Sequence, residues 1–250
     1  MRFRLLAALA FGLLLAAVSL PARAAGPCGP VQFEGAGYTV CSFDLRKTDL
    51  RIFWRDPSGR PYLGFSTLAS SLAADGLSLD FAMNGGMFHD DHSPVGLFIE
   101  KGDELKPANT RKGPGNFHLK PNGVFYIDGS RAGVMETEAF LTKRPKAEFA
   151  TQSGPMLVTN RRIHPRFVAT SDSLKIRNGV GVSDARHVYF AISETGVNFY
   201  SFARLFRDKL GCPNALFLDG SVSGLYAPAL KRDDSWHLFG PIIGAVRRKS

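Results

Sequence analysis

The chain lacks a second long apolar run, because every apolar stretch after the first one is short and interrupted. A transmembrane helix needs about 20 consecutive apolar residues, so this absence predicts that the rest of the chain is soluble. The sequence also lacks internal repeats, low-complexity tracts and long polar linkers. We therefore expect a single folded domain over residues 26–250.

The one long apolar run, residues 5–20, has the layout of a secretory signal peptide. Two arginines precede it, Pro21 ends it, and Ala22-Arg23-Ala24 follows as a small-x-small cleavage site. We expect residues 1–25 to be removed and the mature protein to be periplasmic or secreted, without stable membrane insertion. The alternative interpretation is an uncleaved membrane anchor.

Concentrated basic charge is also missing, although the net charge is +9. Lysine and arginine are dispersed, and the tight clusters are Arg161-Arg162 and Arg247-Arg248-Lys249. A nucleic-acid-binding protein usually gathers its charge on one face beside stacking aromatic residues. The dispersed charge argues against nucleic acid as a partner and fits attraction to an anionic substrate or envelope surface.

Cysteine is scarce, with three residues in the whole chain. Cys28 and Cys41 lie close together near the expected mature N-terminus, so we predict a disulfide between them in an oxidising compartment. Cys212 is left over, and we interpret it as a buried free thiol. A nucleophilic role for Cys212 would need an activating histidine that the sequence does not identify.

Short segments of β character recur along the chain, separated by Gly, Pro, Asn and Asp. Residues 65–74 and 198–210 have the apolar spacing of helices, which end at Gly76 and Gly211. Lys120-Pro121-Asn122-Gly123 is typical of a hairpin turn. These proportions predict an α+β domain in which a mixed, largely antiparallel sheet is covered by a few helices. The predicted strands are residues 38–45, 50–54, 79–83, 95–99, 124–127, 188–192 and 215–218.

Polar patches that contain glycine lie beside several of these apolar segments. Glycine next to a polar side chain lets a backbone and a ligand approach closely, although strand ends also turn with Asn-Gly or Asp-Gly. Together the patches offer a carboxylate, an arginine, amides and hydroxyls, which are the groups that bind a sugar phosphate. The patches are residues 83–88, 152–157, 175–181 and 216–224.

Short motifs within and between these patches follow one another in a recognisable order. They are Asn84-Gly85-Gly86-x-Phe88, Pro94-x-Gly96-Leu97, Ser153-Gly154-Pro155-x-Leu157, Arg177-x-Gly179 and, after a helix, Leu218-Asp219-Gly220-Ser221. This order resembles the phosphodiester glycosidase family over roughly residues 31–246. The resemblance implies an exported hydrolase that cleaves a sugar–phosphate linkage in a glycan or envelope polymer. One departure is that the family's last motif commonly reads Leu-Asp-Gly-Gly-Gly-Ser, whereas Ser221-Val222-Ser223 follows Gly220 here.

Cleavage of a sugar C1–O–phosphate bond develops positive charge on the sugar and negative charge on the leaving phosphate. Arg177 suits the phosphate because its planar guanidinium stays charged and matches two phosphate oxygens. Asp219 is the candidate nucleophile, or the base that activates water, although glycosidases usually pair two carboxylates. No cofactor is expected. The candidate substrate-binding residues are Asn84, Gly85, Gly86, Ser153, Gly154, Asn178, Gly220, Ser221 and Ser223.

Two alternative functions stay open at this point. The altered loop after Gly220 favours a non-catalytic envelope protein that binds anionic glycans. The segment His89-Asp90-Asp91-His92 offers ligands for a metal-dependent phosphodiesterase. Neighbouring loop residues rarely ligate one ion together, and no other His/Asp cluster has clear metal-ligand spacing. We therefore interpret this segment as an exposed loop beside the pocket.

Overall fold

The computed structural model of the protein describes residues 26–220 and 222–249. The predicted signal peptide, residues 1–25, lies outside this part of the chain. Within the described ranges, no helix is both long and apolar enough to cross a membrane.

The described chain consists mainly of short strands, with three α-helices between them. The strands are β1 (Cys28–Phe33), β2 (Ala36–Asp44), β3 (Asp49–Phe53), β4 (Leu77–Asn84), β5 (Phe98–Glu100), β6 (Asp103–Lys106), β7 (Gly123–Asp128), β8 (Arg131–Glu136), β9 (Phe149–Ser153), β10 (Met156–Thr159), β11 (Arg162–Ile163), β12 (Asn178–Asp184), β13 (His187–Ser193), β14 (Asn214–Phe217), β15 (Leu225–Ala227), β16 (Arg232–Asp233) and β17 (Ile242–Arg248). The helices are α1 (Phe65–Ala74), α2 (Thr137–Lys143) and α3 (Phe199–Arg204).

The strands form three sheets, where the sequence had predicted one. The first sheet has the order β1-β2-β13-β12-β14-β10-β11, the second β16-β15-β4-β17-β3, and the third β6-β5-β9-β7-β8. Every strand pair among the described residues is antiparallel. The α+β class and the largely antiparallel pairing are thus as expected, but the single sheet is wrong.

The three sheets pack their inner faces around one shared core. Phe43 of the first sheet lies 4.9 Å, between ring centroids, from Phe81 of the second. Phe125 of the third sheet lies 5.8 Å from Phe190 of the first. Because all three sheets bury one face in this core, their ends meet around a common centre, and side chains from all of them can share one site.

A helix covers the outer face of each sheet. Helix α3 packs on the first sheet, α1 on the second and α2 on the third. The first sheet is therefore apolar on both faces, which explains the unbroken run in β14. Leu216 and Leu218 face the shared core, whereas Phe217 faces α3.

Both predicted helices are confirmed. Helix α1 spans Phe65–Ala74, and Gly76 follows it with a φ of +72°. At the start of α3, the Asn198 side chain accepts a hydrogen bond from the Ser201 N–H, as an N-cap does. The helix continues as a π-helical turn to Lys209, and Gly211 with a φ of +68° ends it.

The hairpin predicted at residues 120–123 is wrong. Residues Asn116–His118 form a turn of 3-10 helix, and β7 begins directly at Gly123 to pair with β8 and β9. Asn122 is buried and donates from Nδ2 to the Phe117 carbonyl oxygen, 3.0 Å away. The side chain therefore fixes a local loop and does not supply a hairpin turn.

The predicted Cys28–Cys41 disulfide is present and joins β1 to β2, where the two residues are cross-strand partners. Cys212 is a buried free cysteine, as expected, and burial raises the pKa of its thiol to about 12. A thiol with so high a pKa is almost wholly protonated at neutral pH and is a poor nucleophile.

Replacing both Cys28 and Cys41 with Ser is expected to lower the Tm by roughly 6–12 °C. A crosslink between residues 13 apart in sequence stabilises by about 3 kcal/mol, and in a domain of this size 1 kcal/mol corresponds to about 2–4 °C. Thermal unfolding of the two proteins measures the difference. A reductant should lower the Tm of the wild type and leave the double variant unchanged; equal melting of wild type and variant contradicts the prediction.

Candidate functional site

Four of the predicted site residues meet where the three sheets come together. Asn84 ends β4 of the second sheet, and Ser153 ends β9 of the third. Asn178 begins β12 of the first sheet, and Asp219 follows β14 of the same sheet. All four are buried; hydrogen bonds connect Asn84, Asn178 and Asp219, and Ser153 bonds to Leu218, the residue before Asp219. We call this group the polar junction.

The Asn84 side chain lies at the centre of the polar junction. Its Oδ1 accepts from Asn178 Nδ2 at 2.5 Å and from the Gly224 N–H at 3.0 Å. The Gly224 N–H can only donate, so it fixes which atom of the amide is the oxygen. The Asn84 Nδ2 is then the single fully buried side-chain N or O atom without a hydrogen-bond partner among residues 26–220 and 222–249. An unpartnered buried donor costs about 1–3 kcal/mol and indicates a place for a ligand oxygen or a water.

The backbone around Asp219 is held by the other members of the polar junction. The Asp219 N–H donates to Asn178 Oδ1 at 3.1 Å. Ser153 Oγ donates to the Leu218 carbonyl at 2.5 Å, and Ser223 Oγ donates to the Asp219 carbonyl at 2.7 Å. Both serines use their hydroxyl protons within the chain, but each oxygen can still accept a hydrogen bond. These bonds fix the Asp219 backbone before any ligand arrives.

Two further predicted residues belong to the same loop. Gly220 lies against the edge of the Phe217 ring, where a Cβ would come within 2.8 Å of Phe217 Cζ. Ser221 lies outside the described residues, so its role stays a prediction.

Arg177 precedes β12, and its guanidinium is held by groups from two other segments. Nε donates to the Val197 carbonyl at 2.8 Å, and Nη2 donates to the Ser173 carbonyl at 3.0 Å. The guanidinium carbon lies 3.7 Å above the ring centre of Phe199 and 5.7 Å from that of Phe217. Since Gly220 also contacts the Phe217 ring, the Arg177 side chain and the Asp219–Gly220 loop lie beside the same aromatic residue.

The charge on Arg177 has no acidic partner in the described part of the chain. The residue is 3% exposed, and burial lowers the pKa of its guanidinium to about 10. It therefore remains protonated at neutral pH, but its positive charge is poorly solvated. A buried cation held by carbonyls and an aromatic ring, without a carboxylate partner, favours the approach of an anion.

The predicted glycines of the site are packed closely by the protein itself. A side chain at Gly86 would overlap the Gln152 carbonyl, and the Gly86 N–H donates to Thr151 Oγ1 at 3.1 Å. A Cβ at Gly154 would lie 2.7 Å from that of Asn122. Gly85 lies against Pro241, and its N–H donates to the Pro241 carbonyl. Close packing of the chain thus accounts for these glycines, and their contact with a substrate stays a prediction.

The segment from His89 to His92 forms a tight turn. The His92 N–H donates to the His89 carbonyl, and Asp91 Oδ1 accepts from the Ser93 N–H. Within residues 26–220 and 222–249, no group of three or more His, Cys, Asp or Glu side chains could hold a metal ion. His89 lies in the wall of a cavity of about 470 Å³, next to Lys106 and Arg111.

Several residues that position the site were not among the predicted site residues, although Gly224 ends one of the predicted polar patches. Gly224 and Phe199 contact site residues directly, through the Gly224 N–H and the Phe199 ring face. Asp234 is a second carboxylate close by, but its Oδ2 accepts from the Leu225 N–H and from Arg232 Nε. The aromatic spacing of α3 indicated a core helix. It did not indicate that the Phe199 ring also stacks against the Arg177 guanidinium.

The fold and the site together define an α+β protein in which three antiparallel sheets hold a buried aspartate, a buried cation and an unpartnered amide donor. The phosphodiester glycosidase family matches residues 78–237 of the chain. This range includes the whole polar junction and Arg177. The chain therefore belongs to the phosphodiester glycosidase family, as its motifs predicted.

Three other proteins are similar to this chain in sequence or in structure. The uncharacterized protein YigE of Escherichia coli strain K12 is 37% identical over 177 residues, which cover 71% of this chain and 69% of YigE. The catalytic domain of zebrafish N-acetylglucosamine-1-phosphodiester alpha-N-acetylglucosaminidase, auto-inhibited by its pro-peptide, superposes with a TM-score of 0.60 at 13% identity, over 87% of this chain and 80% of that one. A hypothetical protein from Synechocystis superposes with a TM-score of 0.57 at 15% identity, over 88% of this chain and 61% of that one. The two superpositions establish a shared fold.

Proposed function

We propose that this protein is an exported hydrolase that cleaves the bond between a sugar C1 and a phosphodiester oxygen in a glycan or envelope polymer. The observation that carries the proposal is the unpartnered Asn84 Nδ2 inside the polar junction, where Asn84 is connected through Asn178 to the buried Asp219. This donor has no hydrogen-bond partner in the described chain, so a sugar hydroxyl or a phosphate oxygen of the substrate can accept from it. Membership of the family supports the proposal, as does the disulfide, a bond that persists in oxidising compartments.

The positions of Arg177 and Asp219 fit two separate roles in the proposed reaction. Side chains alternate along an extended chain, so we infer that Asp219 continues on the face of the first sheet that Phe217 occupies. Arg177 lies beside Phe217 on that face. In the proposed reaction, Arg177 binds the leaving phosphate. Asp219 attacks C1 or activates the water that does so.

The reaction has a simple balance. The C1–O bond breaks, its electron pair leaves with the phosphate monoester, and water finally supplies the hydroxyl at C1 and the proton. A phosphate monoester is a good leaving group, so the reaction depends less on a second, proton-donating carboxylate. The reduced need for a second carboxylate agrees with the bonding of Asp234, whose Oδ2 already accepts from Arg232 Nε and the Leu225 N–H.

A methyl glycosyl phosphate hydrolysed in ¹⁸O-labelled water tests the proposal. Cleavage at C1 places the label in the released sugar and none in the methyl phosphate. Label in the phosphate would indicate attack at phosphorus and would support the metal-dependent phosphodiesterase; chelator sensitivity should accompany that result. A panel of sugars is needed, and a catalytically inactive variant such as Asp219→Asn is the matched control for contaminating hydrolases.

One observation favours binding without catalysis as the second candidate. Val222 replaces a glycine of the family's usual last motif and packs partly buried against the α1 core. This packing stiffens the loop after Asp219. Binding of the methyl glycosyl phosphate without any turnover across the sugar panel would support this candidate over the hydrolase.

A further inference from the structure

The two tryptophans of the chain have opposite environments. Trp54 is buried and donates from Nε1 to the His92 carbonyl at 2.9 Å. Trp236 is 82% exposed, and in the described chain its ring has no stacking, cationic or hydrogen-bonding partner. Tryptophan combines a large apolar ring with an N–H donor, and it is enriched at binding interfaces for that reason.

Trp236 lies on a short loop whose two ends are fixed. We call residues 234–239 the Trp236 loop. At one end, the Asp234 N–H donates to the Leu225 carbonyl at 3.0 Å, and Asp234 Oδ2 accepts from the Leu225 N–H at 3.2 Å. At the other end, Phe239 is fully buried and stacks on Phe65 at 4.6 Å. The exposure of Trp236 is therefore imposed by an anchored loop.

Both ends of the Trp236 loop contact Gly224, the residue whose N–H donates to Asn84. A Cβ on Gly224 would lie 2.7 Å from the Phe239 ring and 3.0 Å from the Asp234 carbonyl. Trp236 is two residues from Asp234, a separation that spans at most about 7 Å. The backbone of Trp236 thus lies close to Gly224, whose N–H donates to Asn84 in the polar junction.

We propose that Trp236 is a sugar-binding platform, on which the apolar face of a substrate sugar ring stacks. The C–H groups on one face of a pyranose match the flat indole, and the indole N–H can donate to a sugar hydroxyl. This inference rests on the proposed function, because the sugar that stacks on Trp236 would belong to the glycan bound at the proposed active site. It assigns Trp236 to binding and specificity, and leaves the chemistry to Asp219 and Arg177.

Steady-state kinetics and tryptophan fluorescence of the full protein test the platform with methyl glycosyl phosphates. Trp236→Ala is expected to raise KM about tenfold, as truncation of a tryptophan at the centre of an interface commonly does, with kcat within about twofold. Trp236→Phe should keep most of the affinity because it keeps an aromatic face. Binding should shift the emission of Trp236 in the wild type, and the shift should be absent from Trp236→Ala, which retains only the buried Trp54.

Two controls isolate the sugar contact. Leu105→Ala removes an exposed apolar side chain on β6, which is 48% exposed, and should leave KM unchanged. Methyl phosphate, which has no sugar, should bind wild type and Trp236→Ala equally. Equal KM values for wild type and Trp236→Ala, or a loss of methyl phosphate binding in that variant, would overturn the platform and leave the hydrolase intact. Sugar-dependent, Trp236-dependent binding without turnover would support the platform and overturn the hydrolase.

Discussion

Asparagine in place of Asp219 is expected to lower kcat on a methyl glycosyl phosphate by about 10³-fold. The substitution replaces one carboxylate oxygen by an amide nitrogen and so removes the charge that attacks C1 or accepts the proton of water. The Asp219 backbone is held by Asn178, Ser153 and Ser223 through bonds that do not use the carboxylate. Because these bonds survive the substitution, the variant should stay folded and its substrate affinity should stay close to wild type.

Initial rates, isothermal titration with the substrate and thermal unfolding separate these effects. Asp103→Asn is the matched control, because Asp103 is an exposed carboxylate at the start of β6. It should leave all three quantities unchanged. Turnover by Asp219→Asn within about threefold of wild type would remove Asp219 from the chemistry. If turnover is lost, the anomeric configuration of the wild-type product, read by NMR, distinguishes the two roles: retention indicates a nucleophile, and inversion indicates a base.

The parts of the structure that depend on local sequence were predictable. Helix α1 follows from apolar residues at helical spacing and a terminating Gly76, and both features lie within the segment itself. The Cys28–Cys41 disulfide follows from two cysteines close in sequence in a chain with a predicted signal peptide. The family followed from motif order, because motif order does not require knowledge of the pairing of strands.

The division into three sheets was not predictable, because it depends on which distant strands pair. β4 pairs with β15 and β17, which lie more than a hundred residues further along the chain. The hairpin at residues 120–123 failed for a related reason. An Asn-Gly pair has the same local preference in a hairpin and in a loop, and the contact from Asn122 to Phe117 decided between them.

For the candidate site too, the sequence indicated the residues but not the contacts between them. The sequence supplied Asn84, Ser153, Asn178 and Asp219, but not the hydrogen bonds that leave one amide donor of Asn84 unpartnered. It supplied Arg177 as a cation, but not the carbonyls of Ser173 and Val197 that hold it. Burial of an arginine without a salt bridge to a carboxylate is a property of the folded chain, and it changes what that arginine can do.

Methionine in place of Arg177 is expected to abolish the rise in Tm that inorganic phosphate gives the wild type, and to lower kcat/KM by about 10²-fold. In the folded protein burial lowers the pKa of Arg177 from its usual range to about 10. A base with a lowered folded pKa binds its proton more weakly when folded, so the charged side chain opposes folding below pH 10, and this cost disappears as the pH rises from about 10 through the higher pKa of the unfolded chain. A bound anion offsets the same cost at neutral pH. At a phosphate concentration 100 times Kd, binding stabilises by about 2.7 kcal/mol, or roughly 5–10 °C in Tm.

The comparison has to be made within each variant, with and without phosphate. The methionine side chain cannot donate to the Val197 and Ser173 carbonyls, so Arg177→Met should melt lower than wild type even without ligand. Arg177→Lys keeps the charge but not the planar fork, and should retain part of the phosphate response. Arg55→Met is the matched control, since Arg55 also stacks at 3.7 Å on an aromatic ring, that of Trp54, but is exposed. If phosphate raises the Tm of Arg177→Met as much as that of wild type, the buried arginine has a structural role and holds the Ser173 and Val197 segments together. Another cation would then have to bind the leaving phosphate.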